Sequence, residues 1–84
     1  YPIDGVLDLH TFDPAEVGDL VPEYLEECRR RGILRVRIIH GKGTGILRAR
    51  VISILERTDA VASFGPAGES GGGWGATLVE LRGT

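Results

Sequence analysis

Two short segments of this sequence carry residue types that could move a proton and hold a phosphate. The first is Asp8-Leu9-His10, a carboxylate two residues before an imidazole, which on an extended strand puts both side chains on one face. An imidazole titrates near neutrality and can act as general base or acid, while a neighbouring carboxylate can orient it. The second is His40-Gly41-Lys42-Gly43-Thr44-Gly45, a histidine followed by three alternating glycines with a lysine and a threonine between them. Glycines permit tight left-handed backbone, and a helix that follows them offers free N–H groups and a positive dipole end to an anion. The segment is not a Walker loop, which needs lysine beside Ser or Thr at its end, and its spacing is not that of the dinucleotide fingerprint. A phosphate cradle and a merely structural turn are both open readings.

Three further residues bear on that choice. Arg48 falls in the first turn of the next helix and inside its apolar arc, where a buried guanidinium would be costly; it either reaches back over the glycine loop or snorkels along the helix. Trp74 lies in Gly71-Gly72-Gly73-Trp74-Gly75-Ala76-Thr77, placed either to stack on a base or to cover a sheet edge. His10 and His40 each end a strand, and ligands collect beyond the carboxyl ends of parallel strands, so the two could share a site. Parity separates them, because His10 follows the open face with Asp8 whereas His40 follows the core face with Val36 and Ile38.

The elements that would position these residues are legible from periodicity. Residues 6–10 alternate as a short strand. Asp13-Pro14-Ala15-Glu16 then supplies an N-cap acid, a first-turn proline and the glutamate of a capping box. Val17, Leu20, Val21, Tyr24, Leu25 and Cys28 make one helical stripe, with Pro22 predicting a kink or two short coaxial helices, and Gly32 after Arg29 to Arg31 closing it. Residues 34–40 read as a second strand with Leu34, Val36 and Ile38 on the core face. A second helix starts near Ile46, and short strands follow at 61–64 and 76–82. The order is β-α-β-α-β-β. Polar residues at alternating strand positions, Asp8, Arg35, Arg37, Glu80 and Arg82, predict a two-layer α/β sandwich: a four-stranded mixed sheet with two helices on one face and the other open to water.

Composition bounds the rest. The chain has 84 residues, is 42% hydrophobic and contains no methionine, which predicts one compact domain taken from a longer protein. The lone Cys28 makes no internal disulfide and no Cys/His cluster has zinc spacing, pointing to an intracellular, cytoplasmic setting. No apolar run is long enough to span a membrane. The net charge of −2 hides an asymmetry: residues 1–27 carry eight acidic and no basic side chains, residues 28–50 eight basic and no acidic ones. Either the two segments pair in the fold, or the basic one flanks the glycine loop and presents phosphate with a positive edge.

Taken together, Leu7-Asp8-Leu9-His10, Ile39-His40-Gly41-Lys42-Gly43-Thr44-Gly45 and Gly73-Trp74-Gly75-Ala76-Thr77 before Leu78-Val79-Glu80-Leu81 resemble the Smr (small MutS-related) domain over nearly the whole chain. The resemblance implies a sandwich like the C-terminal domain of bacterial translation initiation factor three. It also implies nucleic-acid binding, with endonuclease activity in several branches: nicking of DNA in repair or recombination, or cleavage of RNA, including messenger RNA on stalled ribosomes. Carried over by position, Asp8 and His10 match the motif associated with cleavage, and His40, Gly41, Lys42 and Gly43 match the glycine loop. Thr11 departs from the glycine that many members carry there.

The candidate set is therefore Asp8, His10 and His40 for catalysis, with Gly41, Lys42, Gly43, Thr44, Gly45, Arg48, Trp74 and Gly75 for phosphate and base. RNA cleavage needs no metal, since the 2′-hydroxyl is an internal nucleophile. DNA cleavage by two metal ions needs several carboxylates, where this edge offers only Asp8, so a divalent Mg or Mn would have to be held partly by substrate phosphate. The competing classes are a nucleic-acid or ribosome-binding module without catalysis, and a protein-docking domain.

Overall fold

The computed structural model describes residues 2–68 and 75–83. Their elements are β1 (Val6–Asp8), a 3₁₀ turn (Pro14–Glu16), α1 (Val17–Arg30), β2 (Arg35–Ile39), α2 (Ile46–Glu56), β3 (Val61–Pro66) and β4 (Ala76–Leu81). The sheet order is β1-β2-β4-β3, with β1 parallel to β2 and β4 antiparallel to both its neighbours. Both crossovers enter parallel geometry through a helix, as the connection lengths require.

Strand alternation builds the two layers. Leu7, Val36, Ile38, Val79 and Leu81 bury on one face and meet Val17, Val21, Tyr24, Leu25 and Cys28 of α1 with Val51, Ile54 and Leu55 of α2. Asp8, Arg35, Arg37 and Glu80 take the alternate positions on the face that no helix covers. Burial pushes the Cys28 thiol up from its ordinary value, which suits a packing residue rather than a reactive one. Among the described residues no helix is long and apolar enough to cross a membrane.

The joints of the fold are made locally. The capping box forms as the sequence predicts: the Asp13 carboxylate accepts from the Ala15 N–H at 2.9 Å, and Glu16 accepts from the Asp13 N–H at 3.3 Å. The first turn it caps is 3₁₀ and passes directly into α1. At the other end Gly32, at φ +76°, lets its own N–H reach the Arg29 carbonyl and that of Ile33 reach Cys28, so the last carbonyls are satisfied.

Three expectations are corrected. Of the two alternatives for Pro22, a kink or two short helices, the second is excluded because α1 runs unbroken through it; the hydrogen bond that proline forgoes would have gone to Gly18, in the first turn, where the ladder has only begun. Leu34 is 37% exposed and lies just outside β2, its carbonyl accepting from the Leu81 N–H. β1 ends at Asp8 and not at His10, although the Leu9 N–H still reaches the Ile39 carbonyl at 2.7 Å. His10 is thereby released from the sheet at the edge where β2 ends and β4 begins.

Candidate functional site

A turn closed by the Phe12 N–H on the Leu9 carbonyl, 2.9 Å, presents His10. Its backbone needs no left-handed residue, because no described non-glycine residue has positive φ, so Thr11 fills the place without strain. One oxygen of Asp8 accepts twice from His10: from the backbone N–H at 3.1 Å and from ring Nδ1 at 2.5 Å. These hydrogen bonds, the ring one foremost, hold the Asp8 carboxyl below its ordinary value. In the neutral ring Nδ1–H is the donor, which leaves the lone pair on Nε2. The His10 side chain is 58% exposed.

His40 has the opposite environment. It is 4% exposed, with Nδ1 3.0 Å from the Gly41 carbonyl and Nε2 2.9 Å from the Thr77 hydroxyl. A carbonyl can only accept, so Nδ1–H donates to Gly41 and Nε2 accepts from Thr77. Both ring nitrogens are occupied. The geometry therefore fits a strut between β4 and the glycine loop rather than the second proton-transfer group expected from sequence.

The glycine loop leaves β2 through a second attachment. The N–H groups of His40 and Gly41 both reach the carbonyl of Gly75, each at 2.9 Å. Gly41 at φ +78° turns the chain, and a Cβ there would stand 3.6 Å from the His10 Cβ, so the two histidine-bearing segments lie side by side. Gly45 at φ +86° starts α2 without a side-chain cap, and the first turn of α2 contains no acid. Its N–H groups are left for an external acceptor.

These segments line a half-open cleft of about 330 Å³, the first contributing His10, Phe12 and Pro14 and the second His40, Gly41 and residues 43–48. The two histidines do converge on one space. Arg48 lines it, half-buried, with no hydrogen-bond or ion-pair partner among the described residues. Lys42 is exposed and is not part of the lining; a Cβ at Gly75 would stand 3.6 Å from its Cγ. Trp74 lies outside the described residues. Thr77, Phe12, Pro14, Ile46 and Leu47 were not singled out from sequence. Thr77 had a legible signal, a hydroxyl at a core-facing strand position that must find a partner.

The basic segment does not flank the loop as a unit. Arg29, Arg30 and Arg31 pair with Glu26 and Glu27 within α1, at the end of β2 remote from the glycine loop, and Arg35 pairs with Glu80 across the open face at 2.8 Å. Of the basic segment, Lys42 lies in the loop and Arg48 lines the cleft, whereas the Arg50 guanidinium lies against Gly18 of α1. For a metal, no three described His, Cys, Asp or Glu side chains come together, so the residues do not form a metal site by themselves.

The Smr domain family model matches residues 7–82, and the chain belongs to that family. It is 42% identical over 76 residues to endonuclease MutS2 of Thermus thermophilus and 38% identical over 80 residues to endonuclease MutS2 of Clostridium botulinum, covering 90% and 95% of this chain. It spans about 10% of the length of these curated relatives. The crystal structure of the Smr domain of T. thermophilus MutS2 superposes with a TM-score of 0.88 at 40% identity, covering 94% of this chain and 99% of that one. YdaL, a stand-alone small MutS-related protein from Escherichia coli, gives 0.87 at 32% identity, covering 98% of this chain and 67% of that one.

Proposed function

We propose that this chain is a nucleic-acid-binding endonuclease domain, with His10 as the proton-transfer group and the cavity beside it as the place of the scissile phosphodiester. The observation that carries the reading is the double acceptance of His10 by one Asp8 oxygen, which fixes ring and tautomer and leaves Nε2 basic at the cavity. The naming of the MutS2 relatives as endonucleases supports it.

On RNA, Nε2 takes the proton of the 2′-hydroxyl, the 2′-oxygen attacks the adjacent phosphorus and the bond to the 5′-oxygen breaks. The proton then passes from the imidazolium to the departing oxygen, giving a 2′,3′-cyclic phosphate and a 5′-hydroxyl. Asp8 stabilises the transient imidazolium. Arg48 and the first N–H groups of α2 face the charge that develops on phosphorus, and Gly43, Thr44 and Gly45 let the backbone approach it. Lys42 adds positive potential from outside the rim, and His40 with Gly75 holds the loop. On DNA, water replaces the 2′-hydroxyl as nucleophile, and the same residues support nicking.

The deciding experiment offers single-stranded RNA, its 2′-deoxy counterpart, duplex DNA and branched DNA, each with and without chelator. Chelator-resistant cleavage of the RNA alone, ending in cyclic phosphate, is the expected result. Undiminished cut of the 2′-deoxy strand without metal would sink the transesterification. Salt-dependent binding with no cleavage of any substrate would leave a binding module, and no binding at all would indicate docking on a protein or ribosomal partner.

A further inference from the structure

A cleaved phosphodiester carries a base on the neighbouring sugar, and the cavity has a wall suited to it. Phe12 lines the cavity, partly packed on the core, and so does Ile46, the first residue of α2. Ile46 is 63% exposed, the most open of the large apolar residues described. As the first residue of α2, it stands next to the glycine loop and lines the same cleft as Phe12. The same lining supplies a cation with no partner among the described residues, Arg48, and the oriented imidazole of His10. Apolar side chains, a cation and a proton-transfer group on one lining match a single nucleotide: base and phosphate.

Size argues the same way. At about 330 Å³ the cleft stands near the lower bound of small-ligand sites, roughly 300–1,000 Å³, a size that suits one nucleotide. A base within a duplex keeps its faces against its neighbours and would have to leave the stack to enter. We propose that the cavity is a base-binding subsite that takes one unpaired nucleobase between Phe12 and Ile46, so that the domain selects phosphodiesters next to unpaired nucleotides. The proposal rests on the nuclease reading for the phosphodiester beside His10 and Arg48. RNA and DNA present the same apolar ring faces, so the subsite takes an unpaired nucleotide of either.

The test measures affinity of the 84-residue chain by fluorescence anisotropy at a low and a high salt concentration, with the probes compared at the same salt. The probes are a short labelled single strand, the same strand built wholly of abasic sugar-phosphate units, and the matched duplex. The intact single strand should bind roughly tenfold more tightly than the abasic one, the scale of one stacked base, and more tightly than the duplex. Phe12→Leu removes the ring but keeps apolar packing on the core, and Ile46→Ala alters an exposed side chain without touching the core or the charge. Each should shrink the gap between intact and abasic strands. Equal binding of intact and abasic strands by the wild-type chain, or an undiminished gap in both variants, overturns the subsite while salt-dependent binding keeps the nuclease reading alive. Absence of salt-dependent binding to any of the three probes overturns both.

Discussion

The ends of β1 and β2 lie side by side in a parallel pair, each carries a histidine, and the two histidines live under opposite conditions. His10 is mostly in water, oriented through one nitrogen by the carboxylate two residues earlier. His40 is buried and spends both nitrogens inside the protein, on Gly41 and Thr77. One residue of strand parity separates them. The side chain that falls on the open face keeps a free lone pair, while the one that falls on the core face must satisfy every polar atom internally or destabilise the fold. One histidine therefore keeps a ring nitrogen free for an outside partner, as the proposed proton transfer requires, while the other ties the glycine loop to β4.

The largest effect that would sharpen this contrast is on rate. His10→Ala should cut cleavage by about 10²–10⁴-fold while leaving thermal stability within ~0.5 kcal/mol, because little packing is lost. A measured loss of fold with His10→Ala, or an unaltered rate, would erase the distinction. His40→Ala should do the reverse first: it strands the Thr77 hydroxyl and the Gly41 carbonyl and should cost about 1–3 kcal/mol, read as a fall in Tm of about 4–8 °C per kcal/mol. Thr77→Val should reproduce part of that loss, and a Tm unmoved by either would deny the strut.

Backbone comes next. Gly41→Ala places a side chain at φ +78° and should cost about 1–2 kcal/mol, whereas Gly43→Ala, at negative or extended φ with open space around it, should be near neutral by chemical denaturation. The smallest effect is in acid. Because the folded-state value of Asp8 is depressed below its ordinary 3.8, its contribution to stability is present above that value and fades as pH falls through the lower folded one. Its exposure keeps the contribution to about 0.5 kcal/mol or less. Asp8→Asn should flatten that part of the acid unfolding curve without shifting the neutral midpoint by more.

Much of this was legible because the physics was local. The capping box at Asp13 and Glu16, the closing Gly32, the strand parity of Asp8 and of Val36 and Ile38, and the helical stripe from Val17 to Cys28 each depend on neighbours within a few residues. What required the third dimension was partnership at a distance. The sequence left open whether the basic segment pairs or flanks the loop; register set Arg35 against Glu80, and β2 carried the glycine loop away from Arg29 to Arg31. Thr77 is 37 residues from His40, and no local pattern ties a strand hydroxyl to that ring. Phe12 and Ile46 face one cavity only because a crossover returns the chain beside its own start.

The carbonyl of Gly75, accepting from two successive amides, has a kinetic meaning as well. The His40 and Gly41 N–H groups can trade their protons with solvent only when the one acceptor they share lets go, so the first strand of contact between loop and β4 opens as a unit. Deuterium uptake at those two amides should therefore rise and fall together, and a ligand seated in the cavity should slow both by a common factor. That pair of protons is a built-in clock for how often the loop leaves its seat.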